Sequence, residues 1–331
     1  MAEPGIDAEL DAVLRGEDPA IARVLAQVED VRPDQLELQR YTLRTLESRT
    51  PDANSVIGLT GPPGAGKSSL AGALIRHWLE TDRVDDTPGV GMVAVDPSSR
   101  RSGGALLGDR ARLRFESGER VFVRSMASRD QLGGLAPATR AAVAVLRAAF
   151  PRTLVETVGV GQSEVDVETV ADSVVIVLQP GSGDTLQFMK AGLLEIPDVL
   201  VVHKWDLGEI AERTRSDLLA LLPLLTMPGD GHWDPPVIGV SSRSGAGLSE
   251  LAEALASHRG WLQQSGELTR RRRNGRTEWI LELFSRRYGT RGIERLGGPK
   301  HARELAESCP GTALDGFSAL ASRAGLESAP D

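Results

Sequence analysis

The chain is short of cysteine, of aromatic residues and of positive charge, and each shortage removes a class of function. A single cysteine, Cys309, in 331 residues excludes an internal disulfide and any multi-cysteine metal site built from one chain, and it fits a reducing compartment. Aromatic residues make up 4% of the chain, and 46 Asp and Glu outnumber 38 Lys and Arg, for a formal net charge of −8. That balance works against bulk binding to nucleic acid or to an anionic membrane surface. No apolar run approaches the ~18 residues that a membrane-spanning helix needs. The first residues, Met-Ala-Glu-Pro-Gly-Ile-Asp, lack the basic start and apolar core of a secretory signal. The expectation is a cytoplasmic protein with no membrane and no nucleic-acid partner.

Hydrophobic content of 40% and charged content of 25% suit a globular protein with a sizeable core. The length fits one α/β domain of about 200–250 residues with helical extensions. The expected division is a helical segment over residues 1–52, a nucleotide-binding domain over 53–263 and a helical arm over 264–331. In the first segment Ala20, Ile21, Val24, Leu25 and Val28 recur at helical spacing, with Asp18 as N-cap and Pro19 at N1.

The chain is organised around Gly61-Pro62-Pro63-Gly64-Ala65-Gly66-Lys67-Ser68-Ser69, which joins the apolar run 56–60 to a helix-prone segment from Leu70 to Glu80. This is a P-loop in its proper strand-to-helix setting. Its glycines permit a tight turn, and its backbone N–H groups converge at a helix N-terminus, where anions are favoured. Lys67 is expected on the β- and γ-phosphate oxygens and the Ser68 hydroxyl on Mg²⁺.

Further elements follow at strand ends. Val90 to Val95 reads as a buried strand beside the P-loop strand, ending in Asp96-Pro97-Ser98-Ser99. Asp96 reads equally well as a Mg²⁺-linked or water-positioning acid and as a turn cap. The strand Thr153 to Glu156 runs into Thr157-Val158-Gly159. An acid three residues before a glycine there is how P-loop GTPases sense the third phosphate, with the carboxylate holding Mg²⁺ through water and the glycine N–H on the γ-phosphate. Glu156 and Gly159 take those places. Val199 to Val202 ends in His203-Lys204-Trp205-Asp206, close to the Asn-Lys-x-Asp element that reads guanine, and the last strand ends in Ser241-Ser242 and a glycine-bearing loop. Asp206 would accept from two guanine N–H groups that adenine lacks. At about 1.5–3 kcal/mol for each charge-assisted bond, losing both separates the bases by two or more decades.

Beyond Gln263 a basic run, Arg270-Arg271-Arg272-Arg273, precedes Trp279, Ile280, Leu283 and Phe284 at helical spacing. Without interleaved aromatic platforms it reads as a solvated or partner-facing helix rather than a nucleic-acid site. Leu314, Phe317, Leu320 and Ala321 mark a further helix after the breaker Pro310-Gly311.

Five segments together resemble the MeaB/ArgK GTPases: Gly-Pro-Pro-Gly-Ala-Gly-Lys-Ser at 61–68, Val-Asp-Pro-Ser-Ser at 95–99, Gly-Gly-Ala-Leu-Leu-Gly-Asp-Arg-Ala-Arg at 103–112, Leu-Gly-Gly at 132–134 and Glu-Thr-Val-Gly-Val-Gly-Gln-Ser-Glu at 156–164. These are chaperones of adenosylcobalamin-dependent acyl-CoA mutases, methylmalonyl-CoA mutase among them. The resemblance runs from about Leu14 to Tyr288. It implies an α/β P-loop fold of the signal-recognition and nickel-insertion class, a mostly parallel sheet flanked by helices, and a C-terminal arm that makes a homodimer. It also implies GTP/GDP and Mg²⁺ as ligands. Lys67 and Ser68 then serve phosphate and Mg²⁺, Asp96 and Glu156 surround the metal, and Lys204 with Asp206 holds guanine. Asp109 matches a position linked to Mg²⁺ and catalysis, and the loop at 180–190, ending in Lys190, matches a switch that communicates with the mutase. Two positions depart from the family: His203 stands for Asn, which bears on guanine affinity, and Arg110 for Lys.

The expected activity is GTP hydrolysis that sets switch segments near 96–112, 156–164 and 180–190 and so gates cofactor delivery to a mutase. A nickel-insertion GTPase of similar fold would need cysteine and histidine ligands, and this chain has one Cys and five His. An ATP-dependent kinase would not use Asp206 and the 241–242 serines.

Overall fold

Short runs of Val, Ile and Leu, apolar at successive rather than alternate positions, belong to strands covered on both faces, which is the situation of a parallel sheet. The protein, a computed structural model, is described over residues 5–30, 32–81, 89–96, 115, 120–127, 137–157, 167–181, 197–225 and 232–326. Its strands are β1 (Ser55–Thr60), β2 (Val90–Asp96), β3 (Val121–Ala127), β4 (Arg152–Glu156), β5 (Ser173–Leu178), β6 (Val199–His203) and β7 (Val237–Val240). They form one sheet in the order β3-β2-β4-β1-β5-β6-β7, with every pairing parallel. One expectation is corrected. β2 does not lie beside the P-loop strand β1, because β4 is inserted between them and places Glu156 level with Leu59. The acid next to the P-loop strand is therefore Glu156, and Asp96 ends a strand one place further out.

The pleat divides the core. Val56, Val93, Val155 and Val174 face one layer, and Ile57, Met92, Leu154 and Val175 face the other. The second layer holds α4 (Lys67–Thr81) and α7 (Leu248–Gln264), while α6 (Glu209–Leu225) covers β6 and β7 through Ala211 and Leu218. The first holds α5 (Pro137–Ala149) and the helices of both termini: α1 (Ile6–Leu14), α2 (Asp18–Val28) and α3 (Leu36–Arg49) before β1, and α8 (Glu267–Arg295), α9 (Pro299–Ser308) and α10 (Ala313–Arg323) after α7. In α2, Ile21, Val24 and Leu25 are fully buried against this layer, each contributing about 1.5–3 kcal/mol. Asp18 is the first residue of α2 rather than its cap. Glu17 holds the N-cap place, and no side chain caps it.

The basic run is a further correction. Arg271 and Arg272 turn inward from the first turns of α8. Arg271 grips both carboxylate oxygens of Asp198 at 2.7 and 2.8 Å, and Arg272 grips Asp172 at 2.8 and 2.9 Å. The reason is local. Asp172 and Asp198 sit just before β5 and β6, 2% and 3% exposed, where they cap the backbone N–H groups of Val56 and Val174. Buried carboxylates need counter-charges, and α8 supplies these two guanidiniums while α7 brings Arg259 to 3.6 Å from Asp172 and His258 Nε2 to 3.1 Å from Asp198. Burial alone would raise the Asp172 carboxyl, but the Arg272 bonds and charge hold it below the ordinary carboxylate range. The apolar face of α10 folds back on α8 and α3, burying Leu314, Leu320 and Ala321. Its capping box of Thr312 and Asp315 also receives Arg40 and Arg44 from α3, which ties the two terminal segments together.

Candidate functional site

The site is built at the C-terminal ends of β1, β4, β5, β6 and β7, where open α/β sheets hold their ligands. After Thr60 the chain turns sharply at Gly61, whose φ is +134°. A Cβ there would meet the Val177 carbonyl oxygen of β5 at 2.2 Å, so only glycine lets the loop pass that close. Gly64 and Gly66 also have positive φ, Ala65 is fully buried, and α4 starts at Lys67. The first amides of a helix, here those of Lys67, Ser68 and Ser69, have no carbonyl of their own helix to bond, and the helix dipole adds positive potential. Lys67 is itself buried, its Nζ donating to the carbonyls of Gly61 (2.7 Å) and Pro62 (3.1 Å). The ammonium thus rests against the rim of the loop.

Beside it Ser68 Oγ donates to Glu156 Oε1 at 2.6 Å, with Glu156 6% exposed. A hydroxyl and a carboxylate meeting at a helix N-terminus form a hard oxygen pair, the donor chemistry that suits Mg²⁺. Asp96 closes β2 two positions beyond Ala94, the register partner of Glu156. Asp109 and Gly159 lie outside the described residues, as does most of each segment expected to switch: 97–112, 158–164 and 182–190.

The ends of β6 and β7, where the sequence leads one to expect base reading, are joined to the P-loop by His203, at the end of β6 and 4% exposed. Its Nδ1 lies 2.7 Å from the Ala65 carbonyl oxygen and its Nε2 lies 2.7 Å from Ser242 Oγ. A carbonyl can only accept, so Nδ1 carries the proton and Nε2 accepts from the Ser242 hydroxyl. Burial lowers the ring's pKa, and Lys204 adds to this against the pull of the Ala65 bond. The ring is therefore neutral. It fills the space over Gly66, where a Cβ would meet Nδ1 at 2.3 Å. Where Asn was the expected residue, this imidazole links the P-loop to the serine loop.

Lys204 adopts a left-handed backbone conformation (φ 55°, ψ 42°) and lays its ammonium across Gly64 O (3.0 Å) and Gln179 Oε1 (2.9 Å). The exposed Asp206 carboxylate receives the buried Ser241 hydroxyl at 2.6 Å. That bond is the main cause holding its carboxyl below the usual range, so an acceptor-only group faces the opening. Ser241 Oγ in turn accepts from the amides of Arg243 and Ser244 at 3.3 Å. Trp205 lies over β7 at Gly239, where a Cβ would reach its ring at 2.2 Å. Lys67, Ser68 and Glu156 thus gather at one end of the site, and His203, Lys204, Asp206, Ser241 and Ser242 at the other. Gln179 was not singled out from the sequence. Its signal was positional: a polar residue just past β5, the strand that neighbours β6.

A profile described as "Methylmalonyl Co-A mutase-associated GTPase MeaB" matches residues 21–293. The chain is 41% identical over 283 residues to a putative GTPase of Pyrococcus abyssi, covering 85% of this chain and 84% of that one. It is 30% identical over 293 residues to the mitochondrial methylmalonic aciduria type A homolog of Mus musculus, covering 84% and 69%. The crystal structure of an LAO/AO transport system kinase superposes with a TM-score of 0.66 at 24% identity over 93% of this chain and 98% of that one, a likeness of fold.

Proposed function

The chain belongs to the MeaB family of P-loop GTPases, and on that footing we propose that it is a GTP-switched chaperone of an adenosylcobalamin-dependent acyl-CoA mutase, gating cofactor loading and protecting the loaded enzyme. Methylmalonyl-CoA mutase is the enzyme with which the family description associates these GTPases. The nucleotide part of the reading is carried by one observation: Asp206 and Ser241, Lys204 and Gly64, and His203 between Ala65 and Ser242 form one bonded set spanning the P-loop and the ends of β6 and β7. In this reading Asp206 accepts from the guanine N–H pair, and the Lys204 stem lies along the base. His203 fixes the spacing between base and phosphate sites.

Ser68 and Glu156, with Asp96 and Asp109, would hold Mg²⁺. Once bound, the ion neutralises charge on the β- and γ-phosphate oxygens. Lys67 would exchange its two loop carbonyls for phosphate oxygens, and the P-loop amides would hold the rest of the anion, so that catalysis is positional and electrostatic with water as nucleophile. The Gly159 amide and the segments near 96–112, 156–164 and 180–190 would respond to the third phosphate. A homodimer and a cytoplasmic setting complete the reading.

Turnover alone should be about 10⁻⁴ to 10⁻² s⁻¹, the range of P-loop GTPases acting without an arginine supplied by a partner protein. Steady-state hydrolysis of GTP and ATP, with and without purified methylmalonyl-CoA mutase, tests the proposal. GTP preference and acceleration by the mutase are expected, whereas equal use of both nucleotides with no mutase effect refutes it.

A further inference from the structure

At the opposite end of β1 from the P-loop, a cavity of about 430 Å³ opens between α3, α5 and the first turns of α8. Val56 at the start of β1 lines it, so it lies about 15 Å of strand away from the nucleotide loop. Five arginines line it, Arg140, Arg147, Arg272, Arg273 and Arg276, against one acid, Glu47. Arg140 is matched by Glu282 and Arg272 by Asp172, and Arg276 donates to the neutral carbonyl of Gly311 at 2.7 Å. Among the described residues, neither Arg147 nor Arg273 has a carboxylate within 4 Å, although Asp172, Glu47 and Asp52 act on Arg147 from further off. A chain of net charge −8 thus keeps a surplus of positive charge in one concavity. Two buried donors on its wall, Arg147 Nε and Trp279 Nε1, also have no acceptor among the described residues. A buried N–H left unbonded is costly, and both belong to side chains that line the cavity. Burial, with Arg272 adding to it, pulls the Arg147 guanidinium below its ordinary range, and burial raises the Glu47 carboxyl.

We propose that this cavity binds a phosphate-bearing small molecule, its phosphate held by Arg147, Arg273 and Arg276 and its organic body lying against Val143, Ala144 and Trp279. Phosphate fits better than carboxylate. It carries up to two charges and several acceptor oxygens, matching forked guanidinium donors approaching from two helices. The volume exceeds what a bare anion needs and falls in the range of small-molecule sites, about 300–1,000 Å³. This site is distinct from the nucleotide site and does not rest on the chaperone reading.

Calorimetry on the full chain saturated with GDP and Mg²⁺ tests it, since the P-loop is then filled. Phenyl phosphate is expected to bind saturably, more tightly than inorganic phosphate and than benzoate. Arg147→Gln and Arg273→Gln should each weaken phenyl phosphate at least about tenfold, the loss of one charge-assisted bond, with GDP affinity unchanged. Arg273 is exposed, so its variant carries the test even if the Arg147 variant fails to fold. Benzoate binding as tightly as phenyl phosphate would overturn the phosphate assignment. Absence of saturation by about 10 mM phenyl phosphate, or equal affinity in wild type and both variants, would overturn the site.

Discussion

Replacing His203 separates its bridging role from simple filling of space. In His203→Ala the buried Ala65 carbonyl loses its donor, at about 1–3 kcal/mol, and the half-buried Ser242 hydroxyl, which water can reach, loses about 0.5–1.5 kcal/mol. Together these come to about 2–4 kcal/mol. Nucleotide binding needs both loops in register, so much of this should appear as lost affinity for GDP, on the order of a hundredfold at about 1.4 kcal/mol per decade. His203→Asn keeps an amide donor for the Ala65 carbonyl and should lose about tenfold or less. A pH arm sharpens the test. The ring's pKa is lowered by burial, so the neutral ring's contribution is complete above its ordinary value of 6.5 and declines as pH falls from there towards the lower folded value. Thermal unfolding followed from about pH 8 to pH 5.5, with labelled-GDP affinity measured in parallel by fluorescence, should show an acid-side loss of stability in wild type that His203→Asn lacks. A folded His203→Ala protein that binds GDP within twofold of wild type would refute the bridging argument, as would an identical acid limb in His203→Asn.

Other outcomes follow from the same contacts. Asp172→Ala strips the bidentate partner of Arg272 and the acceptor of the Val56 amide, and urea denaturation should register a loss of about 3–5 kcal/mol. Glu156→Gln keeps the Ser68 contact but removes a charge, so GTP hydrolysis should fall at least tenfold and need more Mg²⁺ for half-maximal rate; an unchanged Mg²⁺ titration would count against the metal assignment. Gly239→Ala drives a methyl into the Trp205 ring, and a loss of about 1–3 kcal/mol from overpacking should be relieved by Trp205→Ala in a double mutant. The Asp315 carboxyl, raised by burial but lowered more by its bonds to Arg44, Thr312 and Arg40, has a pKa of about 2. Its stabilisation is present above 3.8 and is lost as pH falls through about 2. Asp315→Asn should cost about 2 kcal/mol at neutral pH and converge with wild type in acid unfolding near pH 2.

What could be read in advance divides along physical lines. Strands and the P-loop helix were legible because apolar runs and periodicity are local properties of the chain, and Leu314, Leu320 and Ala321 marked α10 in the same way. Strand order was not local. Nothing in the residues around Val90 says that β4 will insert between β2 and β1, and that insertion moved the neighbouring acid from Asp96 to Glu156. The arginines at 271 and 272 were misjudged for a related reason: a charge run shows its sign but not its distant partners, and Asp172 and Asp198 lie about a hundred and about seventy residues away in sequence. His203 was visible as a departure, but its two-sided bonding depends on where β7 delivers Ser242.

The pairing of Arg271 and Arg272 with Asp198 and Asp172 limits how modular this protein can be. A chain ending after α7 would look like a complete nucleotide-binding unit in sequence, yet it would carry two buried carboxylates beneath β5 and β6 with these guanidiniums missing. The GTPase unit and its C-terminal appendage therefore cannot be exchanged freely in a fusion or shuffled independently in descent, because part of the sheet's own foundation is encoded beyond residue 266.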